Sequence, residues 1–380
     1  MNIVALVIAT AIPLIFLYVI YALDLYKVGT FRFVLLCSVW GAIAFGLAYY
    51  WNRTLYFSHW VSRDNIIRYT APVAEEILKG LILLYLVRKP NFTYFVDGAI
   101  FGFSAGIGFA VFENYQYVLG APGAALGVAI SRVLSTNLIH ATASALIGIA
   151  LGMARFRRAA GHLGLLVAGG LTAMALHSLF NNLVSRYTDE MVLIYAAALG
   201  FGGALFIAFM IKRGLAEEKR WIEQTLGMAD RVTGQEAAAV QKLESLEDVL
   251  APLVKIFGQD KADQIEQFLV MQARLGILRK SLEKLSDERM KKAVERQMAD
   301  LRAEMDKARR AVGAYTMLGL RNIFPEQASP LWGRLESLIQ ERAAARPASG
   351  GPNLWATLGQ RTTQAAKPTA SNSTQSSEEI

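Results

Sequence analysis

Cysteine and histidine are scarce in this sequence. Cys37 is the single cysteine among 380 residues, so no disulfide can form within the chain. The cysteine content therefore does not indicate whether the protein works in an oxidising or a reducing compartment. Four histidines are present, and none lies in a His-Glu-x-x-His motif, the zinc-binding pattern of many metalloproteases. The chain after Arg213 contains no cysteine, no histidine and no phosphate-binding loop, so we expect no catalytic site there.

Apolar residues, by contrast, are abundant. They make up 54% of the chain and charged residues 18%, a balance that predicts a membrane protein with a large soluble appendage. Residues 1–213 carry 15 Lys and Arg against 8 Asp and Glu, whereas the remainder carries 24 against 23. Because the basic excess lies in loops between apolar segments, it indicates membrane topology, and no nucleic-acid partner is expected.

Seven apolar segments of about 20 residues are long enough to cross the lipid bilayer as helices. They are residues 3–23, 33–51, 65–87, 94–118, 133–153, 162–184 and 191–211. The first has no basic residue before it and too long an apolar run for a cleaved signal peptide, so we expect a retained anchor. The fold class predicted is all-α, a polytopic membrane helix bundle with its transmembrane domain at 1–213.

The distribution of basic residues predicts the orientation. Clusters near the ends of the segments fall on one side of the membrane: Lys27 with Arg32, Arg88 with Lys89, Arg155 with Arg157 and Arg158, and Lys212 with Arg213. That side is expected to be cytoplasmic, which places the N-terminus outside an inner (cell) membrane and the C-terminus inside. Arg53 and Arg63 lie on the opposite side and act against this bias.

The segment after the last span has a different character. Residues 214–345 combine helix-forming residues with periodic apolar positions, which predicts a cytoplasmic α-helical domain. Sensing, homo-oligomerisation and adaptor binding are equally compatible with it. Residues 346–380 are rich in Ser, Thr, Gln, Asn, Gly and Pro, so we predict a disordered tail.

Charged residues inside a predicted span mark a candidate site. Glu75, Glu76 and Lys79 lie within the third segment, although one carboxylate at the bilayer centre costs about 2.5–3.5 kcal/mol. The lysine can form an ordinary helical ion pair with one glutamate. Since neighbours on a helix point about 100° apart, we expect one glutamate to face a cavity and the other to pair with Lys79.

Other ionisable residues lie at similar depths. Counted from the outer ends of their spans, Glu75 and Glu76 lie roughly 15–16 Å deep. Glu113 lies about 8 Å deep, and His140 and His177 lie about 10 Å deep. Singly, each can be explained as an interfacial or hydrogen-bonded side chain, but four helices sharing one layer favour a single buried site in the outer half of the membrane.

Small-residue repeats, Gly98-Gly102-Gly106 and Gly148-Gly152, predict a seam that brings the helices close together.

Four motifs carry a resemblance to a known family. They are Ala74-Glu75-Glu76-Ile77-Leu78-Lys79, Gly106-Ile107-Gly108-Phe109-Ala110-Val111-Phe112-Glu113-Asn114, His140 in a small-residue helix, and His177-x-x-x-Asn181. Together they resemble the PrsW family of intramembrane proteases, distant relatives of the CAAX prenyl endopeptidases and bacterial immunity-type membrane proteases. Those relatives end the second motif in histidine, whereas this chain has Glu113. The resemblance covers about residues 65–185.

The resemblance implies proteolysis of a membrane-anchored, anti-sigma-factor-like protein near the outer face. Glu75 or Glu76 would activate water, with Lys79 as the partner of one of them. His140 and His177, the latter oriented by Asn181, would bind a metal or stabilise the oxyanion. Glu113, His140 and His177 form a two-histidine, one-carboxylate set that suits Zn²⁺ or another divalent metal, and a metal-free glutamate mechanism is equally compatible.

Two other functions fit the same residues. Buried acids, histidines and a lysine also describe a proton- or cation-coupled transporter, although the sequence shows no internal repeat. Pro72, which can open the third helix, suits either a transport path or the admission of a peptide. A membrane scaffold that recruits partners is the third reading, and it would not depend on Glu75 and Glu76.

Overall fold

The computed structural model describes residues 3–26, 31–157, 159–186, 190–226, 232–243 and 246–323. All regular elements within these ranges are helical, which confirms the all-α prediction. The helices are α1 (Ile3–Ala22), α2 (Phe31–Phe57), α3 (Arg63–Asn65), α4 (Ala71–Leu86), α5 (Phe95–Gly120), α6 (Ala125–Leu134), α7 (Thr136–Ala154), α8 (Ala159–Arg186), α9 (Glu190–Thr225), α10 (Gly234–Gln241), α11 (Leu246–Phe257), α12 (Gln259–Lys284), α13 (Glu288–Val312) and α14 (Ala314–Ile323). A π-helix, Ile66–Thr70, joins α3 to α4, and a 3₁₀ turn, Pro122–Ala124, precedes α6.

Six helical stretches in the described ranges are long and apolar enough to cross a membrane, so the chain is a multi-pass membrane protein. They are Ile3–Ala22, Phe31–Phe57, Phe95–Gly120, Pro122–Ala154, Gly161–Arg186 and Met191–Thr225. Each corresponds to one of the seven predicted spans. The fifth predicted span, 133–153, is extended to Pro122–Ala154 because α6 precedes α7, and the helix is interrupted at Ser135 between them.

The third predicted span, residues 65–87, is not among these six. Its backbone is helical from Arg63 to Leu86, but α4 itself has 16 residues and carries three charged side chains. Pro72 explains the π-helix before it, since proline has no backbone N–H to donate. The Ala71 N–H donates instead to the carbonyl of Ile66, five residues back, which is the π-helical pattern.

Helix α5 is the centre of the bundle. Its span is 94% buried within the protein, whereas that of α8 is 17% buried, so α5 is surrounded by helices and α8 lies at the edge. Asp97 in the first turn of α5 accepts hydrogen bonds from the backbone N–H groups of Thr93 (2.6 Å) and Tyr94 (3.2 Å). This cap satisfies donors that the helix start would otherwise leave buried and unpaired.

The predicted glycine seam joins α5 to α7. A Cβ atom at Gly98, Gly102 or Gly106 would overlap backbone atoms of α7, among them the carbonyl oxygens of Gly148, Ser144 and His140 respectively. Only glycine permits this approach, because any larger residue would push the helices apart. The seam therefore determines where His140 lies relative to the side chains of α5.

The helices after the last span pack against the membrane-spanning part. Helix α9 continues without interruption past Arg213 to Thr225, so the predicted boundary at residue 213 falls inside a helix. Trp221 of α9 is buried against Tyr94, with ring centroids 4.5 Å apart. Residues 1–325 form one compact unit. The remainder of the predicted helical domain, 324–345, and the predicted tail, 346–380, lie outside the described residues.

Candidate active site

Four helices bring six of the predicted site residues together. Helix α4 contributes Glu75, Glu76 and Lys79. Glu113, His140 and His177 come from α5, α7 and α8. His140 contacts Lys79, His177 contacts Glu76, and Glu113 joins the cluster through its contact with His140. The shared depth estimated from the sequence therefore corresponds to a real cluster.

Glu76 is the best-connected carboxylate of this cluster and is completely buried. Its Oε1 atom accepts hydrogen bonds from Lys79 Nζ at 2.6 Å and from His177 Nδ1 at 2.9 Å. Its Oε2 atom accepts one from the Ser144 hydroxyl at 3.2 Å. These three donors compensate the loss of water that burial of the carboxylate requires.

Glu75 has a different environment, although it is the neighbouring residue. It lines a cavity of about 500 Å³ together with Glu113, and neither Glu76 nor Lys79 lines this cavity. Among the described residues, the cationic or imidazole nitrogen nearest to its carboxylate is His177 Nε2, which lies 3.8 Å from Glu75 Oε2. The structure thus shows the predicted division, with Glu75 facing the cavity and Glu76 paired with Lys79.

The hydrogen bond between His177 and Glu76 determines which ring nitrogen of His177 keeps an available lone pair. Because the Glu76 carboxylate can only accept, Nδ1 of His177 carries the proton and donates it. In the neutral imidazole, Nε2 then keeps its lone pair, and this atom points toward Glu75. His177 is therefore arranged as a ligand or a proton acceptor.

His140 is held on both sides of its ring. Its Nδ1 lies 3.1 Å from Lys79 Nζ, and its Nε2 lies 2.8 Å from Glu113 Oε2. Since an ammonium group can only donate, Nδ1 accepts, and Nε2–H donates to Glu113. The Lys79 ammonium also lies 4.7 Å from the centre of the Phe109 ring, a favourable cation–π contact.

Arg132 is a member of the site that sequence reasoning missed. It lies on α6, where its Nη2 donates to Glu113 Oε2 and its Nε donates to the Asn114 side chain at 2.8 Å. Its guanidinium also stacks on Tyr117, 4.0 Å from the ring centre. The available signal was a lone arginine one residue before the predicted start of the fifth span, next to no other basic residue. Ser144, one turn after His140, was also missed.

Asn181 does not orient His177, contrary to the expectation from its spacing. Its Nδ2 donates to the backbone carbonyl of Ile67 at 2.9 Å, and the partner of His177 Nδ1 is Glu76. The carbonyl of Ile67 needs a donor because Pro72, five residues later, has no N–H. Asn181 therefore holds the π-helix, and it also lines the cavity.

The residues that could hold a metal differ from the predicted set by one member. Within the described part of the chain, one group of three has ligand atoms within 4.8 Å of one another: Glu75, His140 and His177. Glu113 was expected in place of Glu75, but its Oε2 atom is occupied by Arg132 and His140.

This group fits a divalent metal. Two histidines and one carboxylate are the composition of open, catalytic zinc sites. His177 also donates its other ring N–H to a carboxylate, the arrangement that metal-binding histidines almost always have. His140 would have to release Lys79 or Glu113 to present a lone pair.

Comparison with known proteins gives one match. Residues 29–212 match the model of a family described as PrsW family intramembrane metalloprotease. The matched segment contains all seven site residues predicted from the sequence. No curated protein and no solved structure matches the chain.

Proposed function

Because residues 29–212 belong to the PrsW family of intramembrane metalloproteases, we propose that the protein hydrolyses a peptide bond of a membrane-anchored, anti-sigma-factor-like protein. The observation that carries this proposal is the position of Glu75. Its carboxylate faces a cavity of about 500 Å³ and has the free Nε2 of His177 beside it. A peptide and a water molecule can both reach this point.

In this mechanism Glu75 is the proton acceptor. Water that enters the cavity loses a proton to the Glu75 carboxylate as it attacks the scissile carbonyl carbon. The same carboxyl group then gives the proton to the leaving amine, so the enzyme returns to its starting state. Glu76 takes no part in proton transfer, because Lys79, His177 and Ser144 occupy its oxygens.

The divalent metal that the family description implies, such as Zn²⁺, would be held by His140, His177 and one Glu75 oxygen, which leaves the other Glu75 oxygen as the proton acceptor. When bound, it would supply Lewis-acid polarisation of the carbonyl group and favour deprotonation of water. The remaining residues position the two histidines: Glu76 orients His177, and the Glu113–Arg132 pair orients His140. Such supporting contacts typically account for 10–100-fold in metal affinity or activity.

The cut is proposed to lie near the outer face of the membrane. The cavity is bordered by the end of α2, by α3 and by the π-helix, on the side opposite the basic residues at 88–89, 155 and 157. If those clusters are cytoplasmic, the cavity opens outward. This orientation supports a first cut on the outer side of a membrane anchor.

The test is cleavage by purified protein in lipid nanodiscs, with a panel of single-span proteins that includes anti-sigma factors. We expect Glu75→Gln and His177→Ala to lower the cleavage rate at least about 10³-fold, the upper part of the range for loss of acid–base groups. His162→Ala is the matched control, because His162 contacts the Ala154 carbonyl and none of the site residues. A strong chelator should abolish cleavage, and added Zn²⁺ should restore it.

Each contrary outcome has a distinct meaning. Cleavage that persists in the presence of the chelator would show that no metal is needed, and it would support a metal-free glutamate mechanism. Unchanged cleavage by both variants would show that this cluster is not the active site. A wild-type protein that cleaves nothing but takes up protons in a Glu75-dependent manner would support the transporter.

A further inference from the structure

The cavity that contains Glu75 has two arginines at its outer end. Arg53 lies near the end of α2 and Arg63 begins α3, and both line the cavity while their side chains are exposed. Glu75 lies at the buried end, 7% exposed. The cavity therefore joins a positively charged mouth to the proposed proton acceptor.

Neither arginine has an acidic partner among the residues described. Asp64, the nearest acidic residue in sequence, is 3.7 Å from Arg68. Arg53 instead contacts two aromatic residues: its Nη1 donates to the Tyr49 hydroxyl at 3.4 Å, and its guanidinium lies 5.0 Å from the centre of the Phe57 ring. Aromatic contacts leave a guanidinium able to bind a carboxylate.

Both arginines also oppose the charge distribution that orients the chain. The other basic clusters near the span ends lie on the cytoplasmic side predicted above, and basic residues close to spans on the outer side weaken that orientation. Topology therefore does not explain their presence. Their position at the cavity mouth explains their presence if the cavity binds a negatively charged ligand.

We propose that Arg53 and Arg63 bind an acidic segment of the substrate, on the outer side of the bond that is cut. This inference rests on the proposed proteolysis, and it specifies which peptides the site accepts. Arg63 lies 12 residues before Glu75 along a continuous helical backbone, which corresponds to roughly 18 Å. An extended peptide spans that distance with about five residues, so the acidic side chains lie about five residues outward from the scissile bond.

An anionic lipid headgroup is the other ligand that arginines at this depth attract. The geometry favours a peptide, because both side chains border the cavity of Glu75. A peptide that enters this cavity to reach Glu75 meets a surface that both arginines and Tyr117 line.

The test measures binding, so it does not depend on cleavage. Full-length protein with Glu75→Gln is placed in nanodiscs of zwitterionic lipid, which prevents turnover. Three fluorescent single-span peptides carry Asp-Glu, Asn-Gln or Lys-Lys about five residues outward from the expected scissile bond, and Kd is obtained by anisotropy. We expect the acidic peptide to bind about tenfold more tightly than the basic one, the effect of two partly exposed ion pairs.

Charge reversal supplies the decisive comparison. Arg53→Glu with Arg63→Glu should invert the preference, and Arg53→Gln with Arg63→Gln should remove it. Arg186→Glu is the matched control, because this exposed arginine ends α8 on the same side of the membrane but does not line the cavity. The neutral pair keeps the test valid if the reversed pair does not fold.

Equal binding of the three peptides, including no detectable binding of any, overturns the inference. So does a preference that survives in the neutral variant. A third contrary result is that the arginine variants co-purify with less anionic lipid than the wild type but bind the three peptides as the wild type does. That result would assign the arginines to lipid headgroups. A charge preference without cleavage by the wild type would remove the proposed proteolysis and leave the two arginines as a binding site for acidic peptides.

Discussion

Glu75 and Glu76 show how neighbouring identical residues acquire different roles. Their side chains point about 100° apart on α4, so only one can face the lysine one turn later. Glu76 has three hydrogen-bond donors and no exposure, whereas Glu75 borders the cavity. A carboxylate saturated with donors is a poor proton acceptor, because protonation would break its hydrogen bonds. The same geometry makes Glu76 an orienting residue.

Arg132 gives the first prediction at this scale. Arg132→Gln should lower kcat/KM by about 10–100-fold, because Glu113 loses its ion pair and no longer holds His140 in position. Glu113→Gln should have a similar effect, and the double variant should be little worse than either single one. The measurement is a double-mutant cycle on cleavage rates, with Arg186→Gln as the control. Additive losses would mean that the two residues act independently.

At the scale of elements, polar contacts join the π-helix to α8. Three side-chain hydrogen bonds connect them: Asn181 to the Ile67 carbonyl, Tyr69 to Asn182 at 3.3 Å, and Arg68 to Ser185 at 3.0 Å. Short π-helices often occur at functional sites. Here Ile66 and Ile67 of the π-helix line the cavity that contains Glu75, so α8 positions both His177 and part of the cavity wall.

The seam between α5 and α7 carries the second prediction. A Cβ atom at Gly106 would overlap the His140 carbonyl, so Gly106→Ala must move α7 and with it the imidazole. We expect cleavage to fall about 10²-fold, the cost of a displacement near 1 Å at a catalytic site. The free energy of unfolding should fall by about 1–3 kcal/mol. Cleavage assays and thermal unfolding in detergent measure the two effects.

Gly46→Ala is the matched control for this change. Gly46 lies on α2, where an added methyl group would have no atom within 4 Å. The control should keep wild-type activity and stability, since alanine is the better helix former. Equal behaviour of the two variants would show that the close approach of α5 and α7 does not position His140.

At the scale of the whole molecule, α9 couples the membrane-spanning part to the helices that follow. Trp221 packs on Tyr94 at the start of α5, and Lys284 at the end of α12 lies 4.0 Å from the Trp221 ring. Helices α12 and α13 are separated from their neighbours by Gly258 and Gly313, both with positive φ, a conformation that favours glycine. A movement of these helices would therefore reach the start of α5, the central helix of the bundle. Binding of an adaptor or of a second copy through this region stays a prediction.

Orientation in the membrane is the third prediction. Cys37 is buried, so Cys37→Ala provides a cysteine-free background with little disturbance. In it, Ser58→Cys should react with an impermeant maleimide in intact spheroplasts, because residue 58 lies on the predicted outer side. Lys212→Cys should react only after the membrane is opened. Both positions are exposed, which makes them a matched pair. The reverse labelling pattern would turn the cavity toward the cytoplasm and contradict an outer-side cut.

The sequence by itself determined the fold class and most members of the site. Apolar runs of about 20 residues predict spanning helices whatever their neighbours, because the bilayer requires each helix to satisfy its own backbone hydrogen bonds. Glu75, Glu76, Lys79, Glu113 and both site histidines were visible for a related reason, since charged and imidazole groups are rare inside spans. Pro72 likewise indicated where the third helix would be irregular.

Only the tertiary structure determined which side chains of the site contact one another. Rotation of each helix about its axis assigned Glu76 to Lys79 and Glu75 to the cavity, replaced Glu113 by Glu75 in the potential metal set, and gave Asn181 to the π-helix. Arg132 joined the site from α6, whose position depends on the interruption of the helix at Ser135. These pairings depend on the angular positions of several helices packed together, and such angles arise from side-chain packing across the bundle, which no local pattern encodes.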